Sequence, residues 1–286
     1  MKLYQTSTIR EIKSKYDFNL TKSLGQNFLT DKNAIDKIIE GSEIGPDDLV
    51  IEIGPGIGVI TYEASLKAKK VIAVEIDKNL IPILKDTLSE RDNIEIVNQD
   101  ILKTDLTEII ENAGDFSGVK IIGNLPYYIT TPIIMKILEE GVPCDSLTIM
   151  MQKEVADRIK AKPSTKAYGA LSIAVQYYCE VENVVNVPKE VFVPQPKVDS
   201  TVLRLKIREE KPIELKSRDL FFATVKAAFG QRRKTLNNSL MGVSGITKEI
   251  AADALMASGI DAKRRGETLD LNEFAKLSNE IYERMF

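Results

Sequence analysis

The sequence predicts an α/β fold: a doubly wound, mostly parallel sheet with an antiparallel hairpin at its edge, followed by a small all-α domain. Three observations carry this. Short apolar runs alternate with segments of helical period through the first two thirds of the chain. One of those runs, Leu49-Val50-Ile51-Glu52-Ile53, leads into Gly54-Pro55-Gly56-Ile57-Gly58 and an apolar-periodic helix over Val59–Lys67, and strand, glycine turn, helix is the nucleotide-binding opening of a doubly wound sheet. Beyond the charged stretch Arg208-Glu209-Glu210-Lys211-Pro212 the spacing is helical only. The expected domains are therefore 1–207, with a basic N-terminal extension, and 208–286.

Composition narrows the chemistry. Hydrophobic residues at 43% and charged residues at 28% describe a soluble globular chain. No apolar run reaches the length of a membrane span and the N-terminus lacks a signal-peptide core, so a cytoplasmic protein without membrane contact is expected. Two cysteines, Cys144 and Cys179, suit a reducing compartment. There is no histidine, which excludes a Ser-His-Asp triad, an imidazole base and a His-based metal site; no metal is expected. Net charge is +3 over residues 1–30, −11 over 31–150 and +5 over 151–286. An acidic centre between basic ends suggests a polyanion held by the ends, although scattered surface lysines would give the same sums.

Taken in order, Lys22-Ser23-Leu24-Gly25-Gln26-Asn27-Phe28-Leu29-Thr30-Asp31 reads as a loop, with Thr30 or Asp31 capping a helix through Ile38-Ile39. The glycine turn has GxGxG spacing, where the dinucleotide fingerprint is GxGxxG. The second strand, Lys70–Asp77, carries Glu75 near its end, placed either to accept two ribose hydroxyls or to pair with a lysine. A third, Ile94–Asp100, ends in Asp100, an acceptor for an exocyclic amine or a turn cap. The fourth, Val119–Gly123, delivers Asn124-Leu125-Pro126-Tyr127: an amide, a proline that stops the strand and an aromatic ring, suited to a flat, amine-bearing substrate or to an ordinary strand-end turn. Glycine turn, Glu and Asp on three successive strand ends favour the site over the turn.

Pro132 opens the next helix, Ser146–Gln152 is the fifth strand, and helices are expected over Lys153–Lys160 and Leu171–Tyr178. Val181–Val187 and Val198–Ile207 form the edge hairpin, and four helices follow: Asp219–Phe229, Arg233–Leu240, Lys248–Ser258 and Asn272–Phe286. Arg232-Arg233-Lys234 places three cations at a helix start, where the macrodipole disfavours them. That tilts the reading from a solvated face toward phosphate contact.

Together, Gly25-Gln26-Asn27-Phe28-Leu29, Glu52–Gly58, Glu75, Asp100, Asn124-Leu125-Pro126-Tyr127, Phe192–Ser200 and Phe229–Leu236 resemble the S-adenosylmethionine-dependent ribosomal RNA adenine dimethyltransferases, over nearly the whole chain. The resemblance implies a Rossmann-like methyltransferase domain, an RNA-binding helical domain and S-adenosylmethionine as cofactor. It implies a cofactor pocket of Asn27, Leu29, Gly54, Gly56, Glu75, Ile76, Asp100, Ile101 and Asn124. It further implies a reaction site of Asn124, Leu125, Pro126 and Tyr127, with Phe192 as a second ring, and RNA contacts at Arg232, Arg233 and Lys234. The Gly before Gln26 and the Phe-x-x-Arg-Arg-Lys-x-Leu run favour the small-subunit branch, whose substrate is two adjacent adenosines in the 3′-terminal hairpin loop of 16S rRNA, in a small subunit or its precursor. A monomer is the simplest expectation. The alternatives are the large-subunit methyltransferases of macrolide resistance and a non-catalytic nucleic-acid-binding factor on the same fold. A nicotinamide dehydrogenase is disfavoured by the GxGxG spacing and the absent histidine.

Overall fold

The computed structural model describes residues 2–18, 25–231 and 233–286. In chain order the elements are α1 (Thr6–Lys15), β1 (Phe28–Leu29), α2 (Lys32–Gly41), β2 (Leu49–Ile53), α3 (Val59–Ser65), β3 (Lys70–Glu75), α4 (Leu80–Thr87), β4 (Ile94–Asn98), α5 (Leu106–Ala113), β5 (Val119–Asn124), α6 (Thr130–Glu140) and β6 (Ser146–Gln152). There follow α7 (Lys153–Ile159), α8 (Ala170–Tyr178), β7 (Cys179–Val187), β8 (Phe192–Val193), β9 (Ser200–Ile207), α9 (Arg218–Gly230), α10 (Leu236–Ser239), α11 (Lys248–Ala257) and α12 (Leu271–Met285).

The strands form a sheet in the order β4-β3-β2-β5-β6-β9-β7. Neighbours from β4 to β6 run parallel, and β9 runs antiparallel to β6. Every residue of β2 is buried, which is why this strand reads as a continuous apolar run and not as an alternation. The chain winds from β2 out to β4, then returns to β5 on the other side of β2, so the order reverses between β2 and β5. In an open parallel sheet that reversal leaves a crevice at the carboxyl ends of the strands. Register fixes what faces it: Ile53 lies beside both Val74 and Gly123, and Glu75 beside Asn98. Gly54, Glu75 and Asn124 are therefore brought to one edge. The expected edge pair is present, with a detail that local patterns do not contain: β9 lies between β6 and β7, and β7 is the outer strand.

A second, two-stranded sheet pairs Phe28 with Val193 and Leu29 with Phe192. The Thr30 N–H and hydroxyl both donate to the Val191 carbonyl, at 2.9 and 2.8 Å. Strands of two residues leave no periodicity to read, so the sequence showed only loops here.

The chain divides into two compact units, Met1–Ala156 with Val181–Ile207 and Asp157–Glu180 with Arg208–Phe286. Residues 157–180, which the sequence placed with the sheet, thus group with the C-terminal helices. Distant contacts decide it: the Tyr168 hydroxyl donates to the Leu269 carbonyl at 2.8 Å, and the Tyr177 ring packs on Phe221 and Phe222 at centroid distances of 5.6 Å. Side-chain caps start α9, α11 and α12: Ser217 accepts from the Leu220 N–H, Thr247 from the Ile250 N–H and Asp270 from the Glu273 N–H. The expected helix Arg233–Leu240 shrinks to the four residues of α10, so Arg233 and Lys234 lie in the preceding turn and the macrodipole argument lapses.

Candidate active site

The glycine turn leaves β2 with Gly54 at φ +69° and Gly56 at φ +63°, the left-handed region that favours glycine. A Cβ on Gly54 would meet no protein atom within 4 Å, although the residue lines the cleft; one on Gly56 would come 3.0 Å from the Phe28 ring. The first position is an open cradle for a ligand, and the second lets the segment 25–29 close onto the turn.

The cleft at the strand ends has an empty volume of about 980 Å³, counted out to its mouth. Its walls include Asn27, Leu29, Gly54, Gly56, Glu75, Ile76, Asp100, Ile101, Asn124, Leu125 and Pro126, so the structure gathers the whole expected cofactor set and three of the expected reaction residues. Tyr127 and Phe192 are not among its lining residues. Tyr127 is half-buried, with its hydroxyl 3.0 Å from the Ser200 Oγ. Phe192 is buried, 3% exposed, within the core that holds Leu29.

Glu75 is 4% exposed. Burial pushes its carboxyl up to about 7, against the backbone N–H groups of Asp77 and Gly56, which favour the charged form. One carboxylate oxygen accepts from the Asp77 N–H at 2.8 Å. Beneath it lies Glu52, which sequence reading did not single out. Burial pushes Glu52 to about 8, and its Oε2 accepts from the Thr61 hydroxyl at 2.5 Å. Asp100 acts as a turn cap, its Oδ1 accepting the Leu102 N–H at 3.0 Å, and the residue also lines the cleft. The lining thus carries three acids, Glu52, Glu75 and Asp100, and, among the described residues, no lysine or arginine. With Glu52 raised to about 8 and Glu75 to about 7, both carry a proton wholly or in part at neutral pH, so the lining offers acceptors more than negative charge; the lack of cations disfavours the diphosphate of a dinucleotide.

The segment 25–29 is tied down by bonds that no local pattern assigns. The Gln26 side chain donates to Asp77 at 2.9 Å and the Asn27 side chain to the Gly25 carbonyl at 3.0 Å. The Asn124 Nδ2 donates to the Asn27 carbonyl at 2.9 Å. A carbonyl only accepts, so this bond must use the amide's NH2 group, and the Asn124 Oδ1 remains as the acceptor edge. The amide is set before any substrate arrives.

In the second unit Arg233 and Lys234 are exposed, while Arg232 lies outside the described residues. The Leu236 N–H donates to the Arg264 carbonyl at 2.8 Å, which lays Lys263-Arg264-Arg265 alongside this turn. Arg264 is engaged by both oxygens of Glu273, whereas Lys263 and Arg265 are exposed. The Ser164 N–H donates to the Glu267 carbonyl at 2.8 Å, bringing the exposed Lys162 loop to the same region. Two backbone hydrogen bonds thus bring together three loops that carry exposed cations, of which sequence reading marked only the Arg-Arg-Lys run.

Comparison with known proteins agrees with this geometry. The family model described as ribosomal RNA adenine dimethylase matches residues 17–282. A ribosomal RNA small subunit methyltransferase A of Clostridioides difficile is 55% identical over 280 residues, 98% of this chain and 97% of that protein. One of Alkaliphilus metalliredigens is 54% identical over 284 residues, 99% of each. Among solved structures, a dimethyladenosine transferase from Plasmodium falciparum has a TM-score of 0.77 at 28% identity, covering 90% of this chain and 99% of that one. The 23S rRNA methyltransferase ErmE has a TM-score of 0.67 at 28% identity, covering 89% and 99%. The chain belongs to the ribosomal RNA adenine dimethylase family, S-adenosylmethionine-dependent enzymes that methylate adenine in ribosomal RNA.

Proposed function

We propose that this enzyme dimethylates N6 of two adjacent adenosines in the 3′-terminal hairpin loop of 16S rRNA, within a small subunit or its precursor, as a monomer in the cytoplasm. The observation that carries the site assignment is the Asn124 amide, whose NH2 is engaged by the Asn27 carbonyl. The small-subunit choice is supported by relatives at 54–55% identity named for that subunit, against 28% for the large-subunit methyltransferase.

Bound S-adenosylmethionine supplies an activated methyl on a cationic sulfonium. Glu75 would accept the ribose hydroxyls, Asp100 the exocyclic amine of the cofactor's adenine, and Ile76 and Ile101 would pack on that ring. Gly54 leaves space for the chain of the ligand, and the lining sets no lysine or arginine against its positive charge. A target adenine amine is a poor nucleophile, because its lone pair is delocalised into the ring. The Asn124 Oδ1 and the Leu125 carbonyl would accept hydrogen bonds from its N–H groups, drawing the nitrogen toward tetrahedral geometry and directing the lone pair into the cleft. The proton then leaves to water, so no imidazole is required. Tyr127, anchored through Ser200, would stack on the target base once it has left its RNA stack. Phe192, expected as a second ring, is enclosed, and in this reading it supports the floor through its pairing with Leu29. Arg232, Arg233 and Lys234, with Lys263 and Arg265, would contact RNA phosphates.

The test is labelled methyl transfer to unmethylated small subunits with the product mapped. Label in two adjacent adenosines of the 3′-terminal hairpin is expected; label confined to large-subunit RNA would overturn the assignment.

A further inference from the structure

Two consecutive tyrosines after Pro126 meet different fates. Tyr127 is half-buried and tethered through its hydroxyl to Ser200. Tyr128 is 63% exposed and lines the mouth of the cleft. Its ring is backed by the segment 25–27: the Tyr128 Cε1 would stand 3.9 Å, and the Pro126 Cβ 3.2 Å, from a Cβ built on Gly25, which sits at φ +61°. Glycine at that position allows the ring, the proline and the backbone to lie close together. The same segment holds the reacting edge, since the Asn27 side chain bonds the Gly25 carbonyl and the Asn27 carbonyl bonds Asn124. The ring thus rests one edge on the short segment that fixes the amide and leaves most of its surface exposed at the entrance.

We propose that Tyr128 is a stacking platform for the nucleobase next to the target adenosine, holding the single strand at the cleft mouth while the target base sits against Asn124. This rests on the function proposed above and adds a substrate-positioning residue to it. Every base has a π face, so the platform would grip position without reading sequence. The hydroxyl plays no part, and the ring is required.

Two measurements test this. In steady-state methyl transfer to unmethylated small subunits, Tyr128→Ala is expected to raise the RNA KM by about tenfold to a hundredfold. The kcat and the S-adenosylmethionine affinity should stay within about twofold, and Tyr128→Phe should behave as wild type. The chain has no tryptophan, so Tyr128→Trp creates a sole indole reporter. Its fluorescence should be quenched by a hairpin RNA with adjacent loop adenosines and not by the same hairpin with abasic loop nucleotides. Unchanged KM in Tyr128→Ala, or equal quenching by both hairpins, overturns the proposal. A parallel loss of cofactor affinity would make Tyr128 a cofactor wall, and a Phe variant as poor as Ala would make the hydroxyl the operative group; both overturn it. Failure of the wild type to methylate small subunits would sink the proposed function instead, while the hairpin fluorescence would still decide the role of Tyr128.

Discussion

At the strand ends of the first unit the polar groups proposed to act are buried or half-buried and already bonded: Glu75 is 4% exposed and accepts from Asp77, and the half-buried Asn124 donates to Asn27. On the turns of the second unit the corresponding groups, Arg233, Lys234, Lys263 and Arg265, stand in solvent. The cleft holds a few acceptors in fixed directions, as a reaction that depends on alignment needs. The basic turns offer charge without fixed direction, as suits a phosphate backbone. Loss of one group should therefore be severe in the first region, and graded and salt-dependent in the second.

The largest effect is expected at Asn124. Asn124→Ala should lower kcat by about a hundredfold to a thousandfold, the range seen for deletion of one fixed transition-state hydrogen bond, while RNA affinity is largely kept. Single-turnover methyl transfer beside an RNA-binding assay would show it; turnover near wild type would remove the contrast between the regions.

Glu75→Ala comes next, with cofactor affinity reduced by about tenfold to a hundredfold, since a hydrogen bond to a charged group contributes about 1.5–3 kcal/mol. The wild type should also bind cofactor more weakly as pH falls through about 7, where the carboxylate takes up a proton and loses acceptor capacity. Calorimetric titration across neutral pH would check both. A flat profile in wild type would mean that Glu75 does not accept from the ligand as an ion.

In the second region, Arg233→Glu with Lys234→Glu should weaken RNA binding several-fold at low salt. It should also flatten the salt slope by about 0.7–0.9 per lost phosphate contact. An unchanged slope would return both residues to a solvated surface.

The smallest effect on catalysis and the clearest on stability belongs to Glu52, raised by burial to about 8. A carboxyl whose folded pKa exceeds its unfolded value binds more protons when folded, so it contributes stability at low pH that is lost as pH rises from about 4.5 through about 8. The slope from this one group is at most about 1.4 kcal/mol per pH unit. Glu52→Gln should flatten the decline in urea midpoints over that window; a decline as steep as in wild type would assign it to other groups.

Much of the cleft was legible beforehand. Glycine at 54 and 56, acids at 75 and 100 and an amide at 124 follow short apolar runs, and a parallel sheet delivers such strand ends to one edge. What stayed hidden depends on partners far along the chain. Gln26 meets Asp77 across 51 residues, Asn124 meets Asn27 across 97, and Tyr168 meets Leu269 across 101. The buried Glu52–Thr61 pair was within reach of local reading, because an acid inside a fully apolar strand needs a donor.

By itself the sequence determined the glycine turn, the strand-borne acids, the Asn-Leu-Pro-Tyr end of β5 and the change from alternating to purely helical elements. All of these are set by local period and turn chemistry. Tertiary structure decided the insertion of β9 between β6 and β7, the pairing of β1 with β8 and the grouping of 157–180 with the C-terminal helices. It also decided the direction of the Asn124 amide and which of two adjacent tyrosines faces solvent. Those features depend on long-range register and packing, in which two residues with the same local preferences receive different neighbours.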